Sequence, residues 1–549
     1  MHPIHCERRS LQCQHAREVM VLADSIARNV GKERSPGGGF SRALVRKQHA
    51  NYWLICAYTL CVALEGWTAN AINAVLIDIA GNIGASSDET SWIITVYSAA
   101  AAITVVCSHA ICRVIGERYY ILACALLFSV ASAGCAESAS VAWLLAFRIL
   151  QGLAAGAFMS RTLVLLVTHF DASLRARPLR YYLLILFIVG RLAAPIAAGY
   201  LADLFSWRSL FWIDAAGALL AAWFFAIAPR HEKLLPKNEA QRRSFDWLGL
   251  LLLVTGVCGV QYVLSRGEVD NWLSSGMIRA AIFTAILAHI GFLLWQLSPH
   301  NRTPLVHLRH IFTRGLYSVA LLGVLLGTLF AAVVYAMPFY LRTSETHSAT
   351  QCGAMLSIIG LPMVALALLA PYYVRFVGHV GGRIAIGLGL VLEGISALLI
   401  LRFLSNDTPD IYLVLPLFLS GAFIAITAVG LALAGFANVP VRRISNARTL
   451  YFGARQLGNS IGISLGVVLL DQREVAHSQR LYESFFTRNH TSIPVAIDGV
   501  TSGFAKGLAK SVARQSVLLS YQDFYVAILV VVAMTLAALF LLPQRKTQS

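Results

Sequence analysis

Residues 142–167 read AWLLAFRILQGLAAGAFMSRTLVLLV. Wound as a helix at about 1.5 Å per residue, such a run reaches roughly 39 Å, enough to cross about 30 Å of hydrocarbon. Two charges interrupt it, Arg148 and Arg161. Thirteen similar runs lie on either side, at about 52–76, 91–111, 119–137, 179–203, 209–228, 247–264, 278–297, 316–341, 350–375, 382–402, 411–435, 450–470 and 522–542. The whole chain of 549 residues is 57% hydrophobic and only 13% charged, against about a quarter charged in soluble domains. That composition excludes a disordered chain, a disulfide-knit secreted protein and most soluble enzymes. It predicts an all-α polytopic membrane protein of fourteen spans.

The net charge of +17 invites a reading as a nucleic-acid or lipid binder, and its distribution decides against the first. With the N-terminus cytoplasmic, 29 of the 44 Lys and Arg residues fall in the tails, connections and adjoining span ends of that side, and 4 in the short connections and span ends opposite. Such asymmetry orients membrane helices and predicts both termini in the cytoplasm. No basic and aromatic residues interleave on a soluble face, so no nucleic-acid partner is expected. The expected organisation is a basic cytoplasmic tail at 1–50, a six-helix bundle at 51–228, a linker with two extra transmembrane helices at 229–315, a second six-helix bundle at 316–542 that includes an outer connection at 471–521, and a short cytoplasmic tail at 543–549. Arg113-Val114-Ile115-Gly116 after the second span and Arg375-Phe376-Val377-Gly378 after the tenth suggest an internal repeat, as in many secondary transporters.

Charges inside spans are costly and mark function by default. Glu65, Arg148 and Arg191 stand out. Counted from the span ends at 1.5 Å per residue, Glu65 and Arg191 lie about 20 and 18 Å from the cytoplasmic surface, with Arg148 one or two turns above. One carboxylate facing two guanidiniums could load and release a proton, or could simply tie three helices together. Arg161 lies nearer the cytoplasmic end, and Glu393 is a candidate second proton carrier. Ten cysteines show no C-x-x-C spacing and no histidine at zinc spacing, so no metal site is expected. No Walker lysine motif is present and no cofactor is implied. Gly458-Asn459-Ser460-Ile461-Gly462 fits the serine-hydrolase elbow, but within a helical run its glycines read better as helix packing, as do Gly152 and Gly156.

Taken together, these residues resemble the major facilitator superfamily, in particular the fourteen-span drug:proton antiporters of the EmrB/QacA type. Arg148-Ile149-Leu150-Gln151-Gly152 is similar to that family's R-x-x-Q-G signature, whose arginine the resemblance implicates in proton coupling. Gly190-Arg191-Leu192-Ala193-Ala194-Pro195-Ile196-Ala197-Ala198-Gly199 resembles its fifth-span antiporter motif. Asp246-Trp247-Leu248-Gly249 and Arg455-Gln456-Leu457-Gly458 match the inserted pair and the last third. Departures matter too. His109 and Arg113 replace the usual glycine and acid between spans two and three, and Thr68 stands where the first span commonly has an aspartate, with Glu65 one turn earlier.

The resemblance implies a proton-coupled exporter of small amphipathic compounds working by alternating access, in the inner membrane of a bacterium. Glu65 and Arg148 would couple the proton, Arg191 and Arg161 would form a cavity or ion pair, and Arg113, Gly116, Gly152, Pro195 and Gly199 would shape the gates. Its partners would be a small-molecule substrate, protons, the lipid bilayer and a periplasmic adaptor docked on 471–521, the plain alternative for that stretch being a solvated loop. The positive balance in the first bundle favours an acidic or neutral substrate over a lipophilic cation. Uptake of an organic anion by symport and a non-transporting membrane sensor with this fold are the alternative readings. No enzymatic activity is expected.

Overall fold

The computed structural model describes residues 52–169, 176–228, 245–301, 303–306, 314–343, 347–405, 408–435, 444–489 and 500–541. The basic tail at 1–50, most of the 229–246 linker and the tail at 543–549 lie outside the described residues.

Apolar runs fold as helices here because, within a bilayer, a helix satisfies every backbone donor and acceptor internally. The first six spans are α1 (Tyr52–Ile83), α2 (Ser87–Ile115), α3 (Glu117–Ala136), α4 (Val141–His169), a composite fifth span and α7 (Arg208–Ile227). The fifth span is α5 (Ala176–Phe187), one π-helical turn (Ile188–Ala193) and α6 (Ala194–Leu204). The inserted pair follows as α8 (Trp247–Arg266) and α9 (Gly276–Leu297). The last six spans are α10 (Arg314–Thr343), a broken tenth span of α11 (Ala349–Ile358), α12 (Gly360–Leu368) and α13 (Ala370–Val380), then α14 (Gly382–Phe403), α15 (Asp410–Gly435), α16 (Ile444–Asn489) and α17 (Val500–Ala538).

Among the described residues, thirteen helices are long and apolar enough to cross a membrane. The fourteenth run, 450–470, lies in α16 but is too polar on average to join them. It carries Arg455, Gln456 and Asn459. It can do so because protein surrounds it: α16 packs against α2, α10 and α17, so its polar residues face the bundle interior and not lipid. The inserted pair is the opposite case. Leu251, Phe283, Leu287 and Leu294 are among its exposed apolar side chains, as expected of helices at the rim of a membrane bundle.

The carboxylate of Asp246 anchors that pair. It accepts hydrogen bonds from the Gly249 backbone (2.8 Å), the Trp295 indole (2.7 Å), the Gln296 amide (2.7 Å) and the Asn301 amide (2.8 Å). Burial of the carboxylate opposes ionisation, but these donors outweigh it and hold its pKa below the usual aspartate value.

Two sequence expectations are corrected. The 471–521 connection is not a loop along its length. α16 continues to Asn489 and α17 begins at Val500, so its described residues are helical. Asp523 ties the two helices together, pairing with His477 at 2.9 Å and Arg473 at 3.5 Å. At about 1.5 Å per residue α16 is roughly 69 Å long, over twice the hydrocarbon thickness. The internal repeat is also in a different register. Gly116 turns the chain between α2 and α3 at φ 92°, ψ 141°, and Gly381 does the same between α13 and α14 at φ 94°, ψ 140°. Only glycine adopts this conformation cheaply. The backbone therefore pairs Gly116 with Gly381, not with Gly378, and the R-x-x-G match is three residues out.

Candidate functional site

Helix orientation alternates along the chain, so the bundle has a proximal face, where α1 begins, and a distal face, where it ends. The first and second six-helix sets meet at the distal face. A Cβ on Gly199 would fall 2.1 Å from the Ala349 carbonyl oxygen, and one on Gly353 would fall 2.2 Å from that of Pro195. The fifth and tenth spans thus touch backbone to backbone at Pro195 and Gly199. Asp203 caps α11, accepting from the Thr350 backbone N–H at 2.9 Å and its hydroxyl at 2.6 Å. Arg342 on α10 pairs with Asp78 on α1. These contacts latch the distal ends together.

Arg148 lies deeper and is fully buried. Its Nε donates to the Ile93 carbonyl at 3.0 Å, its Nη1 donates to Gln151 Oε1 at 2.7 Å, and its guanidinium lies 4.1 Å from the Tyr97 ring centre. The Gln151 amide then donates to Ser132 at 2.8 Å and to Asp214 at 3.3 Å. Asp214, on α7, is also buried and accepts the Thr68 hydroxyl at 2.8 Å. A sealed relay results: Arg148, Gln151, Asp214, Thr68. Its register comes from helix α4, where Arg148 and Gln151 are three residues apart and so share a face. A Cβ on Gly152 would meet the Tyr97 carbonyl at 2.4 Å, so this glycine seats α4 against α2 and presses Arg148 onto Tyr97.

Arg148 is therefore not hydrogen-bonded to Glu65, which the sequence reading set facing it. The acid bonded into the Arg148 relay is Asp214, which sequence reading overlooked. Its signal was available, since Asp214 interrupts the apolar run 209–228.

The helices that carry Glu65 and Arg191 do come together. α1 and the fifth span approach so closely that a Cβ on Gly190 would lie 2.8 Å from the Gly66 backbone. Arg191 sits in the π-helical turn, a local widening common at functional sites. Its guanidinium lies 4.3 Å from the ring centre of Phe330, on α10 of the other bundle. One turn earlier on α10, Gly327 faces the Arg455 backbone, where a Cβ would fall 2.2 Å from its carbonyl oxygen. The charges felt by Glu65 are those of Arg455 and Arg191. All three side chains are partly exposed, so they line the space between the bundles.

The remaining candidates lie elsewhere. Arg161 does not enter this cavity; it pairs with Glu117 at 2.7 Å, both buried, bracing α4 against α3 near the proximal face. Arg118 donates to the Phe225 and Ala226 carbonyls at the end of α7. Arg113 is in the last turn of α2 beside Gly116. Glu393, on α14, is buried within the second bundle near Ser420 and Tyr525. Ser460 is buried in the middle of α16, and a Cβ on Gly458 or Gly462 would strike α10 backbone at 2.1 or 2.3 Å. These glycines are packing contacts, and no strand-to-helix elbow exists there.

The family model of the Major Facilitator Superfamily matches residues 58–468. The chain belongs to this superfamily. Among its curated relatives, the multidrug export protein EmrB of Escherichia coli strain K12 is 25% identical over 474 residues, covering 85% of this chain and 91% of that one. The fatty acid resistance protein FarB of Neisseria gonorrhoeae is 24% identical over 484 residues, covering 86% and 92%. Among solved structures, a bacterial homologue of the human lysosomal transporter Spinster, in an inward-facing and unoccupied conformation, superposes with a TM-score of 0.58 at 14% identity, covering 90% of this chain and 98% of that one. The superfamily fold and its multi-pass membrane residence are thus established for this chain.

Proposed function

We propose that this superfamily member is a proton-coupled exporter of small amphipathic molecules in a bacterial inner membrane, with both termini cytoplasmic. Names of relatives, multidrug export and fatty acid resistance, support the direction and the substrate type. The Lys and Arg asymmetry supports the orientation, which makes the distal face the outer one.

The relay from Asp214 to Arg148 carries the proton reading. An ionised Asp214 holds the Thr68 hydroxyl and the Gln151 amide and balances Arg148 in a medium of low dielectric. That ties α1, α4 and α7 together. A proton on Asp214 cancels the balance and leaves Arg148 as an uncompensated buried charge, which is costly. The bundle then favours a conformation that admits water to Arg148. With the outer latch closed, water reaches the cavity from the cytoplasmic side, where the proton leaves and substrate enters. Asp214, with Arg148, takes the coupling role that the resemblance implies for Glu65 and Arg148. The outer parts of α16 and α17 offer a platform for a periplasmic adaptor.

The test is reconstitution. Proteoliposomes carrying the protein should move an amphipathic weak acid against its gradient when a pH difference is imposed. Flux indifferent to that difference would refute the proposal.

A further inference from the structure

Arg191 stands where α1, the fifth span and α12 converge. A Cβ on Gly190 would lie 2.8 Å from the Gly66 backbone on α1, and one on Gly360, at the start of α12, would lie 2.7 Å from the carbonyl carbon of Arg191 itself. The backbone that carries the arginine is thus held from both bundles. Pro195, about one turn further along the same span, makes the backbone contact with Gly353 that closes the distal side. Arg191 therefore sits directly beneath that seal, at the inner end of any path from the proximal face. Its guanidinium crosses the seam between the bundles to rest on the Phe330 ring, and both side chains are partly exposed. Among the described residues, no carboxylate or carbonyl oxygen accepts a hydrogen bond from it. The other arginines of the first bundle's interior differ: Arg148 donates to Ile93 and Gln151, and Arg161 to Glu117. A guanidinium has five N–H donors in its plane, so stacking on Phe330 occupies one face and leaves the N–H edge to the space between the bundles.

We infer that Arg191 and Phe330 form the headgroup end of the substrate site, and that the substrate they take is a monovalent aromatic anion, a carboxylate or sulfonate. This rests on the transport reading above and deepens it by naming the substrate class. An unpaired cation within a span is costly, and an anion supplied from outside the chain removes that cost. The N–H edge of the guanidinium matches two oxygens of such a headgroup as a fork. The Phe330 ring offers its edge to the aromatic body behind the headgroup. Arg455 and Glu65 line the same space; with Glu65 ionised the three sum to one positive charge, and with Glu65 neutral to two, so a cation is repelled in either state. The movement of charge agrees with the driving proton. An anion leaving the cell and a proton entering on Asp214 move charge in the same electrical sense, so an inside-negative membrane potential drives both.

The experiment is equilibrium binding to detergent-purified full-length protein of three probes of matched shape: naphthalene-2-sulfonate, the uncharged naphthalene-2-sulfonamide and the cation 2-naphthyltrimethylammonium. The sulfonate should bind about tenfold more tightly than the sulfonamide, the size of one charge-assisted hydrogen bond, and the cation should bind most weakly. Arg191→Gln should lower sulfonate affinity by about that factor and leave sulfonamide affinity at the wild-type value, which a misfolded protein would not do. Arg191→Lys keeps the charge and loses the fork, so its sulfonate affinity should fall between the two. Phe330→Leu should weaken sulfonate and sulfonamide alike. Equal affinity for sulfonate and sulfonamide, a preference for the cation, absence of sulfonate binding, wild-type sulfonate affinity in Arg191→Gln, or a parallel fall of both affinities in that variant would overturn the inference. No gradient enters these measurements, so their failure is distinct from a failure of pH-driven transport.

Discussion

Asp214→Asn keeps the shape of the relay and removes its charge. The asparagine carbonyl still accepts from Thr68, so α1 and α7 stay joined. Loss of the charge acts on Arg148, which is reached through one carboxamide: 2.7 Å from guanidinium to Gln151 and 3.3 Å from Gln151 to the carboxylate. Across at most about 8 Å, at an effective dielectric near 20, the attraction is about 2 kcal/mol, or roughly thirtyfold in a two-state population. Wild-type protein in proteoliposomes should accumulate substrate under an imposed pH difference and release protons in step, read with a trapped pH dye. Asp214→Asn should lose that accumulation yet keep substrate counterflow at equal pH. Exchanging the two residues, as Thr68→Asp with Asp214→Thr, returns a carboxylate to the same pocket from the other helix and should restore part of the coupling. Accumulation by Asp214→Asn at the wild-type level would refute the reasoning outright.

Other perturbations have equally specific outcomes. Asp78→Asn weakens the ion pair with Arg342, which is partly exposed and worth about 1 kcal/mol or less; the distal face should open several-fold more often, and Cys352, fully buried beside it, should react faster with a membrane-impermeant thiol reagent. Gly190→Leu forces a side chain into the Gly66 backbone and should abolish transport, whereas Gly66→Ala, whose Cβ would sit 3.2 Å from the Leu186 side chain, should lower it modestly; comparing transport per folded molecule checks both. Asp246 has a depressed pKa, so its contribution to stability is complete above about pH 3.9, the unfolded value, and is lost as pH falls through the lower folded value. Trp295 fluorescence, which reports the indole bonded to Asp246, should change over that acid window in wild type and not in Asp246→Ala.

The spans were legible because hydropathy over twenty residues is a strong, local signal. Where the signal weakened, the reason is physical. The run at 450–470 is polar because α16 is enclosed by protein, and hydropathy cannot distinguish a helix facing neighbours from one facing water. The helices within 471–521 are not evident from hydropathy because they owe their order partly to each other, through Asp523 with His477 and Arg473. In the site, Arg148, Glu65 and Arg191 were visible as isolated charges, but their partners were not. Arg161 meets Glu117 across 44 positions, Gln151 meets Asp214 across 63, and Arg455 arrives from the opposite bundle. A depth count along each helix can bring Glu65 level with Arg191, but it carries no angle about the helix axis, and that angle sends Arg148 to Asp214.

The unbroken passage of α16 out of the bundle has a mechanical consequence. The segment 471–489 extends some 28 Å beyond the last apolar residue of its span, and it is continuous with the turn that carries Arg455. A tilt of the second bundle by about 10° would swing the tip of this arm by roughly 5 Å, as simple leverage on that length requires. Whatever touches the tip would therefore feel each turnover as a displacement, and a load placed there would be felt in return at Arg455.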